Sequence, residues 1–173
     1  MPASYQAPKV GDSTKQTSSS QSLATNAQAE AGRVQQLLAR KGKNAITIAQ
    51  TDTIASAVTI LRDERIGALI VVDEDGALAG ILSERDIVRK LAETPGQTLP
   101  QSVAENMTRD VVTCSAQDTL IEVLRRMSEG RFRHMPVVEG KKLIGMITIG
   151  DVVNFRLTEL EHEALQLKQL IVG

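Results

Sequence analysis

Ser83-Glu84-Arg85-Asp86 and Thr148-Ile149-Gly150-Asp151 each place a hydroxyl three residues ahead of a carboxylate. Each follows a glycine and two apolar residues, Gly80-Ile81-Leu82 and Gly145-Met146-Ile147. At the start of a helix, such a pair forms a capping box. The hydroxyl accepts from an N–H of the first turn, and the acid reaches back to the cap N–H. The same carboxylate, at the carboxyl end of a strand, can accept both hydroxyls of a ribose. The helix N-terminus beside it favours a phosphate. The two uses are compatible. Glu84 and Asp86 are not a catalytic carboxylate pair, because residues two apart on a helix point in different directions. The sequence shows no Ser-His-Asp set, His/Cys metal cluster or Gly-rich phosphate loop, so no enzyme is expected.

The two motifs are the ends of a longer repeat. Asp86 and Asp151 are 65 positions apart. Further upstream the offset is 66. Ile46-Thr47-Ile48 matches Val112-Thr113-Cys114, Asp52-Thr53-Ile54 matches Asp118-Thr119-Leu120, and Gly67-Ala68-Leu69-Ile70-Val71-Val72 matches Arg133-His134-Met135-Pro136-Val137-Val138. The register changes by one in the segment from Asp73 to Ala77, where a turn tolerates length change. A repeat of this kind fixes the architecture.

The elements that position the motifs follow from residue patterns. A short strand is expected at Ala45–Ile48 and again at Val111–Cys114. A helix follows each, with apolar positions Ile54, Val58, Leu61 and Leu120, Leu124, Met127 at helical spacing. Two apolar strands then flank a tight turn: Ala68–Val72 with Ala77–Leu82, and Met135–Val138 with Leu143–Ile147. Asp75-Gly76 and Glu139-Gly140 are the turn signals. A second helix starts at Ser83 or Thr148. Each unit is β-α-β-β-α, and at roughly 60 residues it buries little surface alone. The fold class is therefore α/β (α+β), with two units packed as a pseudo-twofold pair and a C-terminal helix beyond them.

Composition narrows the function classes. The chain is 42% hydrophobic but only 2% aromatic, so aliphatic side chains must build the core. A net charge of −1 gives no field to hold a polyanion, and stacking aromatics are scarce; a nucleic-acid binder is disfavoured. Cys114 is the lone cysteine, which excludes an intramolecular disulfide. No apolar run reaches membrane-spanning length, and no secretory core precedes the repeat. The expectation is a soluble, cytoplasmic chain. Residues 1–32 are Ser/Thr/Gln-rich and read as a disordered tail, with a helix beginning near Ala27. A transit peptide would be richer in Arg. Val34, Leu37 and Leu38 form an apolar helical face, with Gly42 as its C-cap.

The element order, the tandem copies and the G-h-h-[S/T]-x-x-D ending resemble a pair of CBS domains, a Bateman module. The boundaries read as 33–95 for the first unit, 103–157 for the second and 158–173 for a helical extension. The resemblance implies an adenine-nucleotide-binding regulatory or energy-sensing module. AMP is the first ligand, followed by ADP, ATP or NAD, and the module modulates a partner or its own oligomer. A ligand-independent dimerisation scaffold is the alternative. The resemblance also implies site residues. Asp86 and Asp151 take the ribose, with Ser83 and Thr148 near the phosphate. Thr47 and Thr113 lie beside adenine and ribose, or are simply strand residues. Gly67-Ala68-Leu69 and Arg133-His134-Met135-Pro136 form adenine slots. Arg133 is suited to bidentate phosphate contact. Arg85 has no basic counterpart at Gly150, so the two sites are expected to differ. Arg131 and Lys43 are weaker phosphate candidates.

The C-terminal stretch has its own period. Val153, Leu157, Leu160, Ala164, Leu167 and Ile171 alternate in steps of four and three between charged positions. Such a seam, under three heptads long, packs on its own module or on a second copy in a homodimer.

Overall fold

The computed structural model describes residues 32–42 and 45–172. The tail, the helix start near Ala27 and Lys43 lie outside the described residues. The element order is α1 (Val34–Lys41), β1 (Thr47–Ala49), α2 (Ile54–Glu64), β2 (Ala68–Val72), β3 (Leu78–Ser83), α3 (Glu84–Glu93), α4 (Val103–Asn106), α5 (Leu120–Gly130), β4 (His134–Glu139), β5 (Lys142–Thr148) and α6 (Ile149–Val172). This is an α+β fold containing the repeated unit.

Local chemistry sets the boundaries. The Thr53 and Thr119 hydroxyls cap α2 and α5 by accepting from the N–H groups of Ser56 and Glu122. Both helices end in a left-handed arginine, Arg65 at φ 56° and Arg131 at φ 55°. The left-handed residue closes each helix, as the Ile66 and Phe132 N–H groups donate back to the Leu61 and Met127 carbonyls at 3.2 and 3.1 Å. The hairpin turns use Gly76 (φ 77°) and Gly140 (φ 61°), which adopt this region without a Cβ clash.

The first sheet has order β1-β2-β3, with β1 parallel to β2 and β3 antiparallel to it. The second has only β4 and β5. The strand expected at Val111–Cys114 is reduced to a single parallel bridge, Cys114 to Val137. The reason lies in the sequence. In the first copy the Ile70 N–H donates to the Ile46 carbonyl at 3.2 Å. Pro136 takes the place of Ile70 and has no N–H to donate. In the first copy the strand itself is shifted, at Thr47–Ala49 rather than Ala45–Ile48.

Two cores result. One gathers Ile48, Ile54, Ala57, Leu61, Leu69, Val71, Leu82, Ile87 and Val103. The other gathers Cys114, Leu120, Val123, Met127, Met135, Val137, Ile147, Val152 and Phe155, together with Val34, Leu37 and Leu38. Each fully buried aliphatic side chain contributes about 1.5–3 kcal/mol.

The helix before each unit packs on the other unit. Val34 and Gln35 of α1 donate to the carbonyls of Asp118 and Ala116, at 3.0 and 2.9 Å. Val103 and Ala104 of α4 donate to the carbonyls of Asp52 and Gln50, at 2.8 and 2.9 Å. These acceptors are equivalent positions of the repeat. The duplication therefore includes α1 and α4, and its copies exchange their leading helices. Buried Val34 and Val103 lock this exchange.

Candidate functional site

The Ser83 motif forms the capping box that its spacing implies. Asp86 Oδ2 accepts from the Ser83 N–H at 3.0 Å and from the Ser83 hydroxyl at 2.5 Å. The Asp86 N–H donates to Ser83 Oγ at 3.3 Å. Asp86 Oδ1 takes no hydrogen bond among the described residues. One carboxylate oxygen thus holds the cap while the other is uncommitted.

Asp86 lines a cleft of about 420 Å³. The first copy contributes Gly67, Ile81, Ser83, Glu84, Arg85 and Arg89. The linker after α4 contributes Thr108, Asp110, Val111 and Val112, and the second copy contributes Arg131, Phe132, Arg133 and His134. Four arginines, Arg85, Arg89, Arg131 and Arg133, line one opening. Arg85 is fixed by donating to the Arg131 carbonyl at 3.2 Å. Glu84 N–H donates to the Gly67 carbonyl at 3.0 Å, so the cap of α3 and the start of β2 form one wall. The linker forms another, as Ile81 and Thr108 exchange backbone bonds of 3.0 and 2.9 Å.

Gly67 allows close approach at this cleft, and Gly80 on β3 allows it beside Met107. A Cβ on Gly67 would lie 3.2 Å from the His134 ring, and one on Gly80 would lie 2.7 Å from Met107 Sδ. His134 is held below its ordinary pKa chiefly by burial. Glu84 and Asp151 pull the other way, while Lys41 and Arg133 reinforce the depression.

The second motif repeats the cap with a different neighbour. Asp151 Oδ2 accepts from the Thr148 N–H at 2.8 Å, and the Asp151 N–H donates to the Thr148 hydroxyl at 3.1 Å. The same Oδ2 also pairs with the Lys41 ammonium, and Lys41 donates to the Met146 carbonyl at 3.1 Å. Burial works against the Asp151 carboxylate, but Lys41 and the Thr148 donors outweigh it and hold its pKa below the usual range. The opening beside Asp151 is about 280 Å³ and is lined by Leu37, Arg40, Lys41, Asn154, Phe155 and Thr158.

The expected site residues thus divide into groups. Gly67, Ser83, Arg85, Asp86, Arg133 and His134 share the larger cleft. Asp151, with Thr148 at its cap, stands at the smaller opening under Lys41. Ala68, Leu69, Met135 and Pro136 are buried strand residues, with Leu69 and Met135 in the two cores. Thr47 is exposed and Thr113 half-buried, and neither lines the larger cleft. Sequence reasoning missed Arg89, Asp110 and Phe132 in the cleft, and Lys41 at Asp151. Arg89 was findable, four residues after Arg85 on one helix face. Lys41 left no signal, being 110 residues from its partner.

Comparison with known proteins fits this geometry. The CBS domain model matches residues 38–93 and 102–158. The chain is 32% identical over 152 residues to the CBS domain-containing protein CBSX3, mitochondrial, of Arabidopsis thaliana; the match covers 83% of this chain and 74% of that one. It superposes on a CBS-domain containing protein from Agrobacterium tumefaciens with a TM-score of 0.71 and 42% identity, over 75% of this chain and 96% of that one. The CBS domain pair of protein MJ0100, solved with 5′-methylthioadenosine and S-adenosyl-L-methionine, gives a TM-score of 0.65 and 29% identity, over 74% and 98% of the two chains.

Proposed function

The chain belongs to the CBS-domain family, and from that premise we propose that it is a regulatory module that binds an adenine nucleotide in the Asp86 cleft. AMP is the first ligand, with ADP, ATP and NAD next. The observation that carries the reading is the company Asp86 keeps. An uncommitted carboxylate oxygen suits ribose hydroxyls, and four arginines suit phosphates. A simple helix cap needs neither. The adenosine ligands of the MJ0100 pair support the same ligand class.

The two copies are not equivalent in this reading. Ribose at Asp151 meets a carboxylate whose charge Lys41 already offsets, whereas Asp86 pairs with no cation among the described residues. The Asp86 cleft therefore fills first. That cleft is walled by both copies and by the linker between them. A ligand that fits one arrangement of these walls better shifts the population toward it, and a partner or the chain's own oligomer reads the change. The role is regulatory and not catalytic.

A thermal-shift screen with AMP, ADP, ATP, NAD and S-adenosylmethionine tests the reading. A ligand at ~100 times its Kd stabilises by about 2.7 kcal/mol. That raises Tm by about 5–10 °C. No shift with any of the five at millimolar concentration, on protein stripped of adenylate, refutes nucleotide binding and leaves the scaffold reading.

A further inference from the structure

His134 stands where the two copies meet, and it belongs to neither capping box. It opens β4 and pairs in register with Thr148, the cap residue of the second motif. Its ring also packs on the first copy. A Cβ on Gly67 would lie 3.2 Å from the ring Cε1, 3.4 Å from Nε2 and 3.8 Å from Glu84 Oε2. The imidazole and the Glu84 carboxylate thus flank one point on the wall of the Asp86 cleft, which both residues line. The ring is half-buried, and its nitrogens make no hydrogen bond among the described residues. The matching position of the first copy is Ala68, which is fully buried. Only the second copy supplies an imidazole, and it supplies it to the cleft of the first motif.

The charge balance of the cleft gives this ring a role. Arg85, Arg89, Arg131 and Arg133 stand with Glu84, Asp86 and Asp110, an excess of one positive charge while His134 is neutral. The charged groups that bear on the ring are Glu84 from α3, Asp151 from α6, Lys41 from α1 and its chain neighbour Arg133. Burial, helped by Lys41 and Arg133, keeps the imidazole neutral in the empty cleft near pH 7. A phosphate dianion brings two negative charges and reverses the excess. The arginines cannot respond, because they are always charged. The carboxylates ordinarily titrate near pH ~4. His134 is the one lining group whose ordinary pKa, ~6.5, lies close to neutrality. A negative charge within ~4–6 Å favours its protonated form. Building on the nucleotide reading of this cleft, we propose that it takes up its phosphorylated ligand together with a proton, which His134 holds. Phosphate binding then strengthens as pH falls through the His134 pKa of the complex, and the gain is complete below that of the empty chain. Acidity and nucleotide become one combined signal.

Calorimetry of the full chain with AMP, in buffers of different ionisation enthalpy, counts the protons taken up on binding. The AMP phosphate itself titrates near pH ~6, and that contribution is common to wild type and His134→Gln. The wild type should take up more protons than the variant, by a fraction of one that peaks between the two His134 pKa values. Adenosine, which lacks the phosphate, should show no such difference. Melting of the variant checks that it folds. NMR of the two histidines needs no variant and reads the same linkage directly. AMP should raise the His134 pKa by about one unit or more, while exposed His162 on α6 stays fixed. Each unit corresponds to a tenfold gain in AMP affinity of wild type over variant on going from high to low pH. AMP binding with equal proton counts in the two proteins, or with His134 titrating as in the empty chain, overturns the proposal and leaves the nucleotide reading standing. No AMP binding by the wild type overturns both.

Discussion

Asp86→Asn separates the helix cap from the ribose grip, and the structure sets the size of both effects. The cap uses Oδ2 alone, which accepts from the Ser83 N–H and hydroxyl. An asparagine carbonyl can take that place, leaving its NH2 where Oδ1 stood. The cap geometry survives, and what is lost is a negative charge in the first turn of α3, worth about 0.3–1 kcal/mol. Apo Tm should therefore fall by only about 1–4 °C. The effect on ligand is larger. An NH2 cannot accept from ribose, and the remaining oxygen is neutral. Losing charge-assisted hydrogen bonds costs about 1.5–3 kcal/mol. That corresponds to about a tenfold to 150-fold rise in Kd for AMP. Calorimetry with AMP and circular dichroism melting of the apo chain measure the two quantities separately. An unchanged Kd with a lowered apo Tm would refute the ribose role and leave Asp86 as a cap. Asp151→Asn is the internal comparison. It strips a half-buried ammonium of its carboxylate as well, so its apo Tm should drop further, by about another 2–4 °C for an ion pair near 1 kcal/mol.

Lys41→Met should free Asp151, lowering apo Tm by a few degrees while improving adenosine binding at the weaker site; calorimetry resolving two classes of site would measure this, and an unchanged weaker class would contradict it. Arg133→Ala should raise Kd for AMP and ATP by about tenfold or more while leaving adenosine nearly unaffected, because only phosphate engages the guanidinium; equal losses for all three would remove its phosphate role. His134 has a folded pKa below its unfolded value near ~6.5, so folding favours its neutral form. Its stability contribution is complete above that pH and is lost as pH falls through the folded pKa; His134→Gln should flatten the Tm decline below pH ~6.5. The Asp151 carboxylate is likewise held below its unfolded value, so its contribution is present above pH ~4 and is lost on further acidification. Melting curves of wild type and Asp151→Asn should converge as pH falls below ~4, and a constant gap would show that the charge is not responsible.

The sequence alone determined what is local. Capping boxes at Ser83 and Thr148, caps at Thr53 and Thr119, and glycine turns at Gly76 and Gly140 depend on residues within a few positions of each other. So do the hairpin registers, and the duplication made each of these signals count twice. Even the lost second-copy strand was written in Pro136, whose missing donor acts at its own position. Tertiary structure decided what spans the copies. Val34 and Val103 share an apolar character but no visible motif, so nothing in the chain marked α1 and α4 as exchanged helices. That exchange carries Lys41 to Asp151, and it sets the Thr108–Val112 linker against Asp86. The Asp86 cleft likewise gathers Arg85 and Arg89 with Arg131 and Arg133, some 45 residues further along the chain. Such contacts form because each unit is too small to bury its own apolar face and must close it with a segment from elsewhere. Many segments of similar hydrophobicity could serve, and only their three-dimensional fit selects among them.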